Sequence, residues 1–488
     1  MSLSQVKVFI HNLEVGMFVS ALDKPWAETP FPIQGFVVKN EADISRVKAY
    51  CDYVYVDVEK GISPVDIATK STVARNFKVH SNKVVSAAAG TAHSRNKIYL
   101  AASRETKIIH GFPVKPNAYS KSVELAKEIP DARRVMNNLI GCLTLTIRQV
   151  GKGGQFNVEQ LKSSVDDMVD SVIRCPDAFT WLLRLRAQDS QTHDHSMRSS
   201  LWAVQFGRHI GLDKEQLKDL CLGTLLKDVG KIKLNRALLN KAERTSEEEV
   251  EFRKFVGLGV EQLQQAGFEN RRVLNIIKFH CERFDGSGFP KGMSGNRIPF
   301  LATVAGIASE FDRMCNPRET GETLAPSKAT SRLYEMRNKA FSEELVVEFI
   351  QSIGLYPPGT IVELTTGDCG MVLEQDPKSR LAPRLAVFEN AEEITADTQY
   401  MFIDLKKEDL ARSQLSSFGK KRSYDVTKLG IVKDIEPESF GIEYSLLNNL
   451  ISKPFDAANC GSTLSVGDEN PLGESKSFFS LLKERFAS

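Results

Sequence analysis

The spacing of hydrophobic positions changes twice along this chain. Between residues 4 and 60 the runs VKVFI, GMFVSAL, GFVVK and YVYVDV are β-branched or aromatic, and NEADISRVKAYC between the last two has the spacing of a short amphipathic helix. A small α+β domain over residues 1–67 follows. From residue 123 to 355 apolar residues recur three and four apart, as in VMNNLIGCLTLTI, VDDMVDSVI, MRSSLWAVQFGRHI, LKDLCLGTLLKDVG and RRVLNIIKFH, which predicts an all-helical domain. Pro357 and Pro358 then break the helices and the period falls to two. GTIVELTTGDCGMVLEQ reads as two strands around a Gly/Asp turn, with RLAVF and YMFIDL after it, so residues 356–460 form a β-rich module. Residues 461–488 open on polar turn residues and end in SFFSLLKERF, the pattern of a flexible tail with a short terminal helix. The expected fold is multidomain: a central all-α bundle, a small N-terminal α+β domain and a small C-terminal β module.

Composition narrows the function classes. The 488 residues suffice for about three domains of ~150 residues. With 42% hydrophobic and 26% charged residues, a disordered or collagen-like chain is excluded. A formal net charge of +2 gives no global attraction to nucleic acid or anionic lipid. Eight cysteines (Cys51, Cys142, Cys175, Cys221, Cys281, Cys315, Cys369, Cys460) include no CxxC pair, which fits reduced thiols in a cytosol. The N-terminal stretch lacks a secretory core and no run approaches the roughly 18 uncharged residues of a membrane helix, so a cytoplasmic location without a membrane span is expected. The balanced total conceals residues 68–122, which hold ten basic residues against one acid, Glu105. That basic linker reads as a solvated connector, or as an arm for an acidic partner or nucleic acid.

Candidate chemistry lies in four strings of the helical part: QTHDHS at 191–196, LLKDVGK at 225–231, FHCERFDGSGFP at 279–290 and IASEFDRMCNPRE at 307–319. Spaced in this way, they resemble the HD-GYP family, a branch of the HD metal-dependent phosphohydrolases that hydrolyses the bacterial second messenger cyclic di-GMP. The resemblance extends to GLYPPGTIVEL after the helices. It also covers GMFVSALDKPWAETPFPIQGF near the start, which looks like the small domain often placed before HD-GYP domains. It implies an HD-type bundle that holds two or three iron or manganese ions through histidines and carboxylates. Such ions neutralise a phosphodiester and lower the pKa of bound water from about 15.7 toward roughly 7.

Aligned on these strings, His195, Lys227, Asp228, Phe255, His280, Cys281 and Ser309 match the family's ligand positions, and His195, Asp228 and His280 keep the ligand type. Lys227 brings an ammonium with no lone pair, Phe255 no donor atom, Ser309 no charge, and Cys281 a soft thiol in place of a histidine. The chain therefore reads as a degenerate member with Asp228 as the remnant of the catalytic centre and no cofactor expected. Two alternatives stand beside that expectation: one zinc held by His195, Asp228, His280 and Cys281, or iron or manganese in a partly retained site. Lys231 and Arg318 match positions that contact ligand phosphate in the family. The loop Asp285, Gly286, Ser287, Gly288, Phe289, Pro290 keeps the family's turn, with Phe289 in the tyrosine position. In the family this loop is implicated in contacts with GGDEF proteins; a turn held by local packing is the plainer reading.

Three functions follow from the resemblance. The first is a non-hydrolysing cyclic di-GMP sensor or protein-interaction module in bacterial signal transduction. The second is a phosphodiesterase with a reduced or altered metal site. The third is a nucleotide-independent scaffold that uses its basic linker and tail. Trp26, Phe31, Phe36, Trp181 and Trp202 read as core residues, His193 as surface, and GKGG at 151–154 as a turn, because it lacks phosphate-loop spacing.

Overall fold

A computed structural model describes residues 5–10, 13–23, 36–38, 40–57, 107–109, 111–115, 118–184, 191–241, 243–317, 323–376, 379–389, 398–416, 418, 429–435 and 463–465. The chain divides into two compact units, Met1–Ile108 and Ile109–Ser488. Trp26, Phe31, most of the basic linker, Arg318 and nearly all of the tail lie outside the described residues.

In the first unit, strands Gln5–Phe9, Tyr53–Asp57, Phe18–Leu22 and Phe36–Val37 lie in that order in one antiparallel sheet. Alternation sends Val54 and Val56 to one buried face with Val8 and Val19, where Val47 of the helix Glu41–Lys48 joins them. Asn40 starts this helix by accepting a hydrogen bond from the Asp43 amide at 3.0 Å. Phe36 packs half-buried against the same core.

The second unit is a helical bundle with a sheet on one side. The helices Leu125–Gly151, Val158–Arg174, Pro176–Arg184, Gln191–His209, Lys214–Leu226, Phe255–Gln265, Arg271–Phe279, Phe300–Cys315, Pro326–Glu335 and Glu343–Ile353 enclose one large apolar core. At its centre runs Lys214–Leu226, buried from Asp219 through Leu226. Trp181 and Trp202 are both in this core. The six-stranded antiparallel sheet has the order Ile431–Ile435, Ile361–Leu364, Cys369–Glu374, Arg384–Phe388, Gln399–Asp404, Thr463–Ser465. Met371, Leu373, Ala386, Phe388, Tyr400 and Phe402 turn into the helical core. The Trp181 indole donates to the Leu373 carbonyl at 2.6 Å from that core. The opposite face, with Val362, Val372, Val387 and Ile403, is closed by Ala411 and Leu415 of the helix Glu408–Ser416. The sheet is thus apolar on both sides. Among the described residues no helix is long and apolar enough to cross a membrane.

Two glycines let backbones meet where the four sequence strings come together. A Cβ on Gly230 would lie 2.0 Å from the Phe255 carbonyl oxygen, so the 3-10 turn Val229–Lys233 can rest on the start of the Phe255–Gln265 helix only without a side chain there. A Cβ on Gly306 would lie 2.7 Å from the His280 carbonyl oxygen, which sets the spacing between Phe300–Cys315 and the end of Arg271–Phe279. Gly230→Ala is expected to destabilise the protein by about 1–3 kcal/mol through forced backbone movement. Gly257→Ala, with nothing within 4 Å of the added Cβ, should be neutral or stabilising by up to about 1 kcal/mol through helix propensity. Urea unfolding of the two variants checks the contrast.

Candidate functional site

Asp228 lies between Lys227, which ends the helix Lys214–Leu226, and the 3-10 turn Val229–Lys233, and its carboxylate is the hub of the site. It is buried, and both of its oxygens carry a cation: the Lys227 ammonium on Oδ2 and the Lys231 ammonium, at 2.5 Å, on Oδ1. Lys231 reaches it because the 3-10 turn brings position i+3 back over residue i. The side of Oδ2 also faces the His195 Nε2, 3.9 Å away. Burial opposes the charge on Asp228, but Lys227 and then Lys231 hold the carboxyl well below its ordinary range. Burial in turn lowers the Lys227 ammonium, with Asp228 resisting the shift.

The two histidines are neutral, and their tautomers follow from their partners. Burial and the Lys227 charge bring His195 down to about 4 against the pull of Asp312. Its Nδ1 lies 2.7 Å from the Asp312 carboxylate and so carries the proton, leaving Nε2 to accept from the Ser309 hydroxyl at 3.2 Å. His280 is brought down to about 3 by burial and Lys227, and its Nδ1 donates to the Ile277 carbonyl at 2.9 Å. Asp312 and Arg198 were not singled out from the sequence, yet Asp312 is fully buried and Arg198 Nε donates to it at 2.8 Å. A signal for Asp312 was present, since it lies one turn after Ser309 on the same helix and so shares its face.

One wall of the corner is apolar. The Phe255 ring sits edge-on to His280 at 5.9 Å, and the Lys231 ammonium stands 4.9 Å from the Phe255 ring centre. Cys281 packs with Leu234, Phe255, Val256 and Phe289 in a small cluster, where burial pushes its thiol up to about 11. Of the four donors of the one-zinc alternative, His195 Nε2 lies 3.9 Å from the Asp228 carboxylate, while Cys281 borders this apolar cluster. Among the described residues no group of three or more His, Cys, Asp or Glu is placed to hold a metal ion.

The loop Asp285–Pro290 is a built turn. Buried Glu282 accepts from the Lys291 and Met293 amides at 2.7 and 2.9 Å, and Asp285 accepts from the Ser287 amide at 2.9 Å. Gly288 leaves no room for a side chain, its Cβ position being 2.3 Å from the Arg283 nitrogen. Phe289 turns inward, its ring 6.1 Å from that of Phe255, while Asp285, Ser287 and Pro290 are exposed. Arg318 and the side chain of His193 lie outside the described residues.

Residues 182–345 match the model of the HD domain, and residues 5–161 match a domain of unknown function, DUF3391. A cyclic di-GMP phosphodiesterase of Pseudomonas aeruginosa is 26% identical over 388 residues, which covers 79% of this chain and 85% of that protein. A cyclic di-GMP phosphodiesterase response regulator of Xanthomonas campestris is 29% identical over 163 residues, 33% of this chain and 43% of that protein. Among solved structures, an HDG"Y"P protein of Bdellovibrio bacteriovorus aligns over 71% of this chain and 98% of that chain, with 14% identity and a TM-score of 0.39.

These relatives overturn the expectation that no cofactor is involved, because phosphodiesterases of this class are metal-dependent. The residues present here nonetheless do not fit a two-metal cluster. Lys227 sets a buried cation against the corner carboxylate, Phe255 offers no donor, and Ser309 brings a neutral hydroxyl already engaged with His195.

Asp228→Ala strands two ammonium groups, one of them fully buried, and should cost about 3–5 kcal/mol in urea unfolding; Lys227→Met should cost less, because Lys231 still partners Asp228. Acid should weaken the fold through the histidines. The unfolded rings take up protons near pH 6.5, while the folded ones resist down to about 4 and about 3. Their contribution is therefore complete above about pH 6.5 and is lost as pH falls to about 4 for His195 and about 3 for His280. A melting temperature followed over that range should decline, and His280→Gln should flatten the slope.

Proposed function

For a chain that belongs to the HD-GYP family of cyclic di-GMP signalling, we propose the role of a receiver that binds a cyclic dinucleotide at the Asp228 corner and does not hydrolyse it. The observation that carries this reading is the buried Lys227–Asp228 pair. Hydrolysis in this class draws on metal ions to supply the attacking hydroxide and to neutralise the phosphodiester. Here a fixed ammonium neutralises the corner carboxylate, and it repels a divalent cation. The corner keeps positive charge for a phosphate: Lys227 and Lys231 face Asp228, Arg198 balances Asp312, and both histidines are neutral. Lys231 is the ligand-facing cation in this reading, and the exposed part of the Asp285–Pro290 loop is the surface offered to a signalling protein such as a GGDEF partner.

Calorimetric titration with cyclic di-GMP, and chromatography of products after incubation with manganese or iron, test both halves. Binding without product is expected. Lys231→Met should weaken binding about tenfold or more, the loss of one charge-assisted hydrogen bond. Turnover that disappears in His280→Ala and Asp228→Ala would replace this reading with an active phosphodiesterase; absence of binding would replace it with a scaffold.

A further inference from the structure

We propose that residues 235–241 and 243–254 form a hinged lid over the Lys227–Asp228–Lys231 corner, held shut by Phe252. This rests on the corner being the ligand site argued above, where Lys231 has to meet a phosphate. In the structure the Lys231 side chain is only 14% exposed and already engaged with Asp228. Its ammonium lies 4.9 Å from the Phe255 ring centre and 5.8 Å from that of Phe252. Phe252 belongs to the neighbouring segment, and in this proposal movement of that segment widens the approach of a phosphate to Lys231.

The segment is built to move as a unit. Neither the short turn Arg236–Leu239 nor the helix Ser246–Arg253 contains a buried residue. Its order is local: Thr245 and Glu248 form a reciprocal cap, Lys241 pairs with Glu248 at 2.8 Å, Arg253 with Glu249 at 3.0 Å, and Arg244 Nε donates to the Leu238 carbonyl at 3.1 Å. Its anchors among the described residues are few. Leu239 and Phe252 touch a small apolar cluster separate from the main core, Phe252 lies 5.4 Å from Phe255, and the Arg253 guanidinium lies 5.1 Å from the Phe289 ring centre. At one root Lys254, itself in helical conformation and without a side-chain cap, joins Ser246–Arg253 to Phe255–Gln265; at the other, Leu234 leaves the 3-10 turn in an extended conformation. A segment with local bonds and few apolar anchors opens at a small fraction of the global unfolding cost. Opening also parts Arg253 from Phe289, so the lid's position is transmitted to the Asp285–Pro290 loop.

Hydrogen exchange followed by mass spectrometry on the full chain tests the lid without any ligand. Amides of residues 236–253 should exchange at least ~100-fold faster than those of Phe300–Cys315. Phe252→Ala should speed the lid a further ~10-fold or more and leave Phe300–Cys315 unchanged, while Val250→Ala, at a side chain 63% exposed, should match the wild type. A lid that exchanges no faster than Phe300–Cys315, or is indifferent to Phe252→Ala, overturns the proposal. With cyclic di-GMP added, Phe252→Ala should also raise the association rate several-fold. Fast lid exchange with no nucleotide binding would uphold the lid and reject the receiver, which keeps the two failures apart.

Discussion

A lysine ammonium with no exposed surface persists in a protein interior only when a carboxylate lies beside it. Lys227 and Asp228 are that arrangement, adjacent in sequence and buried together. Much of the corner is arranged around the pair. Its field helps keep His195 and His280 uncharged, and neutrality fixes Nδ1 of each ring as the protonated nitrogen against Asp312 and Ile277. Arg198 then completes the charge on Asp312, and Lys231 takes the second oxygen of Asp228. Each of these charges thus has a partner within the chain, with Lys227 and Lys231 sharing the one carboxylate of Asp228.

The sheet and helices of the second unit were legible in the sequence for different reasons. Helical spacing placed His195, Asp228 and Ser309 on or beside helices, because a face of a buried helix is written every third and fourth residue. The strands from 361 to 404 were also legible, as alternating runs between turn residues. That both faces of this sheet are covered was not, since a strand buried on two sides loses the alternation that would say so: Arg384–Phe388 is buried at four consecutive positions.

In the candidate corner, identity carried some of the site and packing the rest. Lys227 next to Asp228 was visible as a changed motif, and an ion pair between neighbours needs no tertiary information. Cys281 was a different case. Its position among donors suggested a thiolate ligand, and only the fold reveals that it also packs against Phe255, Val256 and Phe289. Asp312 could be placed on the face of Ser309 by helical periodicity, but its partner Arg198 comes from another helix, 114 residues earlier in the chain.

The residues at this corner form a set rather than a series of separate features. Phe255 would be costly beside a hydrated ion, but it is a favourable neighbour for the Lys231 ammonium and for the edge of a neutral histidine. Ser309 would weaken a site that needs negative charge, yet its hydroxyl satisfies the Nε2 that neutral His195 presents. Each of these residues suits a corner whose positive charge is covalently supplied by Lys227. Replacing Lys227 alone would therefore leave Phe255 and Ser309 adapted to a cation that had gone. In physical terms these residues act as one unit, and the polar centre stays buried because each member supplies what its neighbour needs.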